Sequence, residues 1–158
     1  MEDFISGGND AGFIYVSMGS SVKTANMPDN LRQLLVRTFA KLPYRVLWKY
    51  ESTTIQNDLT PNVRISRWFP QQDILGHKKL KAFITHGGLL SMYEMVYHGA
   101  PGVVMPVFCD HDSNSEKANT DGYGKFIKIS HEYFCCFTVC FISSLQIVFG
   151  NSHIGKII

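Results

Sequence analysis

The hydrophobic positions of this chain change period several times, and each change marks an element. Phe13–Met18 (F-I-Y-V-S-M) is a short apolar, β-branched and aromatic run bounded by Gly12 and Gly19, the pattern of a buried strand. After Pro28 the spacing becomes helical, with Leu31, Leu34, Leu35, Thr38, Phe39 and Leu42 on one side. Pro28 stands where helices start and Pro43 ends the run. A second strand is predicted at Arg45–Tyr50 and a third, alternating one at Asn62–Trp68, followed by a turn at Pro70 and a short helix near Gln72–His77. Ala82–Thr85 reads as a fourth strand, Leu89–His98 as a helix closed by Gly99, and Gly102–Met105 as a fifth strand ended by Pro106. Asp112–Asp121 reads as a helix and Lys125–Ile129 as a sixth strand. Strands alternating with helices predict an α/β fold with a doubly wound parallel sheet.

After Ser130 the pattern is lost. His131–Ile158 follows neither the strand period nor the helical one, and residues 133–152 carry no formal charge. An uncharged run of that kind approaches the roughly 20 residues that a membrane helix needs, but Thr138, Ser143, Ser144 and Gln146 dilute it. The expected organisation is a domain over residues 1–130 and an apolar tail over 131–158, foreign to the domain and poorly packed against it.

Composition narrows the classes. With 158 residues, 45% hydrophobic and 18% charged, the chain can bury a real core and has the size of one domain or of half a two-domain enzyme. A net charge of +2 without a basic stripe argues against nucleic acid as a partner, and Lys78-Lys79-Leu80-Lys81 reads as a solvated face. Of the four cysteines, Cys135, Cys136 and Cys140 crowd into the tail and Cys109 stands alone, which is no disulfide framework. His131 with the tail cysteines lacks the second ligand pair of a zinc finger. The first ten residues have neither the basic nor the apolar region of a signal peptide.

The chemistry-bearing residues gather at the predicted carboxyl ends of the strands, where doubly wound sheets bind ligands. Ser17, Gly19 and Ser20 follow the first strand, and Trp68, Pro70 and Gln71 the third. His86, Gly87 and Gly88 follow the fourth, and Asp110 and His111 the fifth. His-Gly-Gly before a helix lets backbone approach a ligand and points helix-start amides at an anion. The first turn reads S-M-G-S-S-V, without the glycine pattern of a dinucleotide fold, and no Walker lysine pattern is present. Each residue also has an ordinary reading: Trp68 as rim packing, Gln71 as a helix cap, Ser20 and Ser91 as turn or capping serines, His86 as a satisfied core histidine, and Glu94 as a solvated helix charge.

Three segments together, W-F-P-Q-Q-D-I-L-G-H, F-I-T-H-G-G-L-L-S-M-Y-E and H-G-A-P-G-V-V-M-P-V-F-C-D-H-D-S-N, resemble the signature of the UDP-glycosyltransferases. The Leu-Leu-Ser helix start is most similar to insect members, and the likeness runs from about Phe4 to Ile129. The resemblance implies a Rossmann-like, C-terminal half of a GT-B glycosyltransferase, with UDP-sugar as donor substrate and no metal or other cofactor. It implies that Trp68 stacks on the uracil, Gln71 bonds the nucleoside and Glu94 holds the ribose. It further implies that Ser20, His86, Gly88 and Ser91 meet the diphosphate, and that Asp110 and His111 hold the sugar. Leu90 stands where many relatives have Asn, and His111 where they usually have Gln, a departure that accompanies galactose as donor in some plant members and leaves the identity of the sugar open. Asp110-His111-Asp112 spells the metal motif of a different fold, but its surroundings are those of the metal-independent type.

The family transfers a hexose or hexuronic acid to a small lipophilic acceptor with inversion, using a histidine base backed by an aspartate in an N-terminal domain. No residue here matches that pair, so the resemblance implies a donor-binding piece with no catalytic residue of its own. The alternative is a non-catalytic nucleotide-sugar-binding or partner-sequestering short form. The implied location is the lumenal side of the endoplasmic reticulum membrane, with signal peptide and anchor expected to be absent from this chain, and a homo-oligomer is compatible with it.

Overall fold

The computed structural model describes residues 1–6, 12–108, 110–127 and 137–150. In chain order the elements are α1 (Glu2–Ser6), β1 (Phe13–Ser17), α2 (Asp29–Ala40), β2 (Arg45–Lys49), β3 (Val63–Ser66), α3 (Gln71–Leu75) and β4 (Leu80–Thr85). They continue with α4 (Leu89–Tyr97), β5 (Gly102–Val104), α5 (His111–Thr120), β6 (Gly124–Phe126) and α6 (Phe137–Gly150). The six strands form one sheet in the order β3-β2-β1-β4-β5-β6, every pair parallel. The doubly wound α/β fold expected from the sequence is therefore present, and the strand order reverses between β1 and β4.

Period-2 alternation sorts the central strands onto two faces, which explains why they read as unbroken apolar runs. Ile14, Val16, Val46, Trp48, Ala82 and Ile84 face the layer containing Leu35 and Phe39 of α2. Phe13, Tyr15, Leu47 and Phe83 face Ile74 and Leu75 of α3, Met92 and Met95 of α4, and Ala118 of α5. Pro28 caps α2 without a side-chain bond, and Lys41 ends it two residues before Pro43. β1, buried along its whole length, anchors both layers.

Two findings differ from the sequence pattern. Glu2–Ser6 forms a short helix where none was predicted, and Arg45 and Arg64 approach the Phe4 ring on it at 4.7 and 5.8 Å. In the tail, Phe137–Gly150 is helical, and Phe141 and Leu145 are buried in the α2-side core, with Phe141 6.1 Å from Phe39. These two side chains lie four apart, one helical turn, so they share a face. The poor packing expected of the tail is not what they do. Among the described residues no helix is long and apolar enough to cross a membrane. The predicted strand end at 128–129 and the His131, Cys135, Cys136 and Cys109 candidates lie outside the described residues.

Candidate functional site

A cleft of about 330 Å³ opens at the carboxyl ends of β1, β2 and β3, beside the β1/β4 reversal. The turn after β1 forms one wall. Gly19 adopts φ 74°, a left-handed conformation that side chains other than glycine's adopt only under strain, and Ser20 beside it is exposed. The loop after β3 forms the opposite wall, where Trp68 is 72% exposed, an unusual cost for a large aromatic ring. Ser66 Oγ donates to the Trp68 carbonyl at 2.9 Å, so the backbone carrying the ring is tethered.

The floor is a chain of polar side chains. Tyr15 Oη donates to Gln71 Oε1 at 3.3 Å, and Gln71 Nε2 donates to Ser91 Oγ at 3.2 Å and to Glu94 Oε2 at 2.6 Å. Gln72 Nε2 donates to the other Glu94 oxygen at 3.2 Å. Burial, assisted by the Glu94 charge and opposed by a hydrogen bond with Ser17, pushes the Tyr15 hydroxyl up to about 12, so it remains a donor. Gln71 is the first residue of α3 rather than its cap, which is Pro70, and Ser91 is bonded to Gln71 rather than capping α4. Glu94 is half-buried and held, not a solvated helix charge.

His86, Gly88, Asp110 and His111 do not line this cleft; they form a second group that adjoins it through Gly19. The His86 ring is wedged between glycines: a Cβ on Gly19 would come within 2.5 Å of its Cε1, and one on Gly88 would collide with Nε2. Gly87, at φ 91°, lets the chain turn from β4 into α4, whose N-cap Gly88 leaves the helix-start amides without a side-chain cap. Burial holds His86 down at about 4; His111 and Lys49 push the same way and Asp110 opposes them. The imidazole is thus neutral at neutral pH and offers hydrogen bonds rather than charge.

His111 is buried, its ring 4.6 Å from that of His86 and 4.8 Å from Phe108, with Nδ1 accepting from the Phe108 amide at 3.4 Å. Asp110 is exposed at the start of α5 and accepts from Asn114 Nδ2 at 2.9 Å; the same amide donates to the Gly87 carbonyl at 2.8 Å. Of the predicted site residues, the structure brings Ser20, Trp68, Gln71, Ser91 and Glu94 into one cleft, and sets His86, Gly88, Asp110 and His111 beside it. Among the described residues no three His, Cys, Asp or Glu side chains gather as a metal set.

Sequence reasoning missed Lys49 and Gln72. Lys49, the last residue of β2, is only 8% exposed; its Nζ donates to the Gly19 carbonyl at 2.7 Å and lies 5.2 Å from the centre of the Trp68 ring. A lysine closing an otherwise buried strand was the available signal.

The family model described as UDP-glucoronosyl and UDP-glucosyl transferase matches residues 1–133. UDP-glucuronosyltransferase 2A3 of Cavia porcellus is 43% identical over 114 residues, covering 72% of this chain and 21% of that protein. The 2-hydroxyacylsphingosine 1-beta-galactosyltransferase of Homo sapiens is 36% identical over 124 residues, covering 78% of this chain and 22% of its own. The chain thus spans about a fifth of the length of the curated relatives it matches. Among solved structures, Os79 from O. sativa in complex with UDP superposes with TM-score 0.69 at 18% identity, over 95% of this chain and 36% of that one. The calicheamicin glycosyltransferase CalG4 does so with TM-score 0.70 at 22% identity, over 92% and 37%.

Proposed function

The chain belongs to the UDP-glucoronosyl and UDP-glucosyl transferase family, and from that premise we propose that its strand-end cleft binds the UDP moiety of a UDP-sugar donor. The observation that carries this is the joining of an exposed Trp68 ring to the Gln71–Glu94 pair across a cleft sized for a small ligand. A flat aromatic face suits a planar base. The Glu94 carboxylate is an acceptor for ribose hydroxyls, and Gln71, with both amide atoms fixed by Tyr15, Ser91 and Glu94, presents itself in one orientation. Ser20, the amides that begin α4 and the neutral His86 supply hydrogen bonds toward the diphosphate, and Asp110 with His111 is assigned to the sugar.

In the whole enzyme the reaction is transfer of a hexose or hexuronic acid to a small lipophilic acceptor with inversion, no metal or further cofactor taking part. Leaving-group charge would then be met by the α4 amides and the hydrogen bonds around the diphosphate. In the cleft Glu94 is held by Gln71 and Gln72, and in the group beside it Asp110 is held by Asn114 and His86 is buried. None of these is a free base facing an acceptor, which favours a donor-binding role for this segment, with the base supplied from elsewhere in the full enzyme. A lumenal site at the endoplasmic reticulum membrane follows from the same kinship.

Calorimetric titration of the chain with UDP, ADP and GDP tests the reading. UDP should bind in preference to both purine nucleotides, and incubation with UDP-sugar and phenolic acceptors should yield no glycoside. Equal affinity for all three nucleotides would contradict the base site, and robust glycoside formation would contradict the donor-only role.

A further inference from the structure

The proposed residues leave one charge in the cleft unexplained. Lys49 is nearly buried, yet among the described residues no carboxylate pairs with it; Arg32–Asp29, His77–Glu2 and Lys117–Asp121 are ion pairs elsewhere in the fold. Burying an ammonium without a counter-charge is costly, and such groups are ordinarily paired or hold an anion. Its known contacts are a carbonyl and a ring face: the Gly19 oxygen and Trp68. Both are on walls of the cleft, and Lys49 lines the cleft between them. Strand pairing fixes this arrangement, because Val16 of β1 is in register with Trp48 of β2, so Lys49 emerges beside the turn at Gly19.

We propose that Lys49 is a further nucleotide-binding residue, which supplies the counter-charge for the nucleotide's diphosphate from its place between the Gly19–Ser20 turn and the Trp68 ring. This rests on the reading of the cleft as a UDP site. An ammonium has three donors and Gly19 uses one, so the others remain for phosphate oxygens. The rest of the cleft offers an anion only neutral donors, together with a carboxylate, Glu94, which repels it. Lys49 is the cation there.

The test compares UDP with uridine, which shares the base and ribose but carries no phosphate, on the full 158-residue chain and its Lys49→Met and Lys49→Arg variants. Lys49→Met keeps most of the aliphatic stem and removes the charge; Lys49→Gln is the second charge-removing variant should Lys49→Met not fold, as judged by thermal melting. UDP affinity should fall about ten- to a hundredfold in Lys49→Met, the range for a hydrogen bond to a charged group, while uridine affinity stays at the wild-type value. The dependence of UDP binding on salt should become shallower in the same variant. Lys49→Arg should keep the preference for UDP over uridine. Lys49→Met binding UDP as tightly as the wild type, or losing UDP and uridine by the same factor, would overturn the assignment while leaving the cleft intact as a UDP site. A wild-type chain that binds no UDP would remove the cleft reading and this one together.

Discussion

The two ends of the sheet carry depressions of the same size, about 330 Å³ each, and they differ in what their polar groups are committed to. At the amino ends of the strands, the hollow is walled by Pro43, Tyr44, Arg45 and Pro61. The Arg45 guanidinium lies 4.7 Å from the Phe4 ring, and Asn62 donates to the Phe39, Leu42 and Tyr44 carbonyls at 2.9, 3.4 and 3.1 Å, so its amide closes the end of α2 onto β3. At the carboxyl ends, polar side chains bond one another across elements: Gln71 of α3 spends both amide hydrogens on Ser91 and Glu94 of α4, which leaves the Ser91 hydroxyl hydrogen and further Glu94 lone pairs for the cleft. The glycines divide the same way. A Cβ on Gly12 would strike the chain's own backbone at Lys79, whereas one on Gly19 would strike the His86 ring. Volume does not distinguish the two ends; what the polar groups are committed to does.

The largest effect should come from Gly19→Ala. The new Cβ meets His86 and the backbone is held at φ 74°, so the loss of stability should be about 2–5 kcal/mol, strain and overpacking together. Urea denaturation measures it, and UDP binding should be lost in parallel. Next, Asn62→Ala should cost about 1–3 kcal/mol by stranding carbonyls at the opposite end. UDP affinity of the folded fraction, read by calorimetry, should not change; a change would erase the distinction between the ends.

Trp68→Ala should do the reverse. Removing an exposed ring should alter stability by less than about 0.5 kcal/mol, while UDP binding weakens by about 1–3 kcal/mol, the range for a base–aromatic stack. Equal losses in melting and binding would mean that the ring is structural.

The last effect is one of pH. His86 sits at about 4 in the folded chain against 6.5 when free, so between those values the unfolded state binds more protons. Stability contributed by the neutral ring is complete above pH 6.5 and should decline as pH falls toward 4. Denaturation midpoints at pH 7 and pH 5 check this, and His86→Gln should flatten that part of the profile.

How much of this is written in the sequence depends on whether the deciding contact is local. The β-branched and aromatic runs of Phe13–Ser17 and Leu80–Thr85 announce buried strands, and Pro28 and Pro43 bracket α2, because strand burial and helix limits are short-range properties. The α6 helix hides because it is apolar on most sides, so Phe141 and Leu145 stand out only once they have a core to enter. The cleft residues Trp68, Gln71 and Glu94 were legible through their likeness to a known signature. Their mutual bonds were not, since Gln71 and Glu94 are 23 residues apart and meet only when α3 packs on α4. Lys49 escaped for the same reason: its partner, Gly19, is 30 residues away and comes within reach through strand register. His111 read as a sugar contact, and its burial against His86 and Phe108 depends on the loop after β5.

The central claim is that ligand binding belongs to the carboxyl ends of this sheet, and amide chemical-shift mapping of the isotope-labelled chain titrated with UDP tests it most directly. The account predicts saturable shifts at Gly19, Ser20, Trp68, Gln71, Leu89 and Leu90, with Gly12, Tyr44 and Asn62 unmoved. Shifts centred on Tyr44 and Asn62, with the Gly19 turn and the α4 start silent, would contradict it.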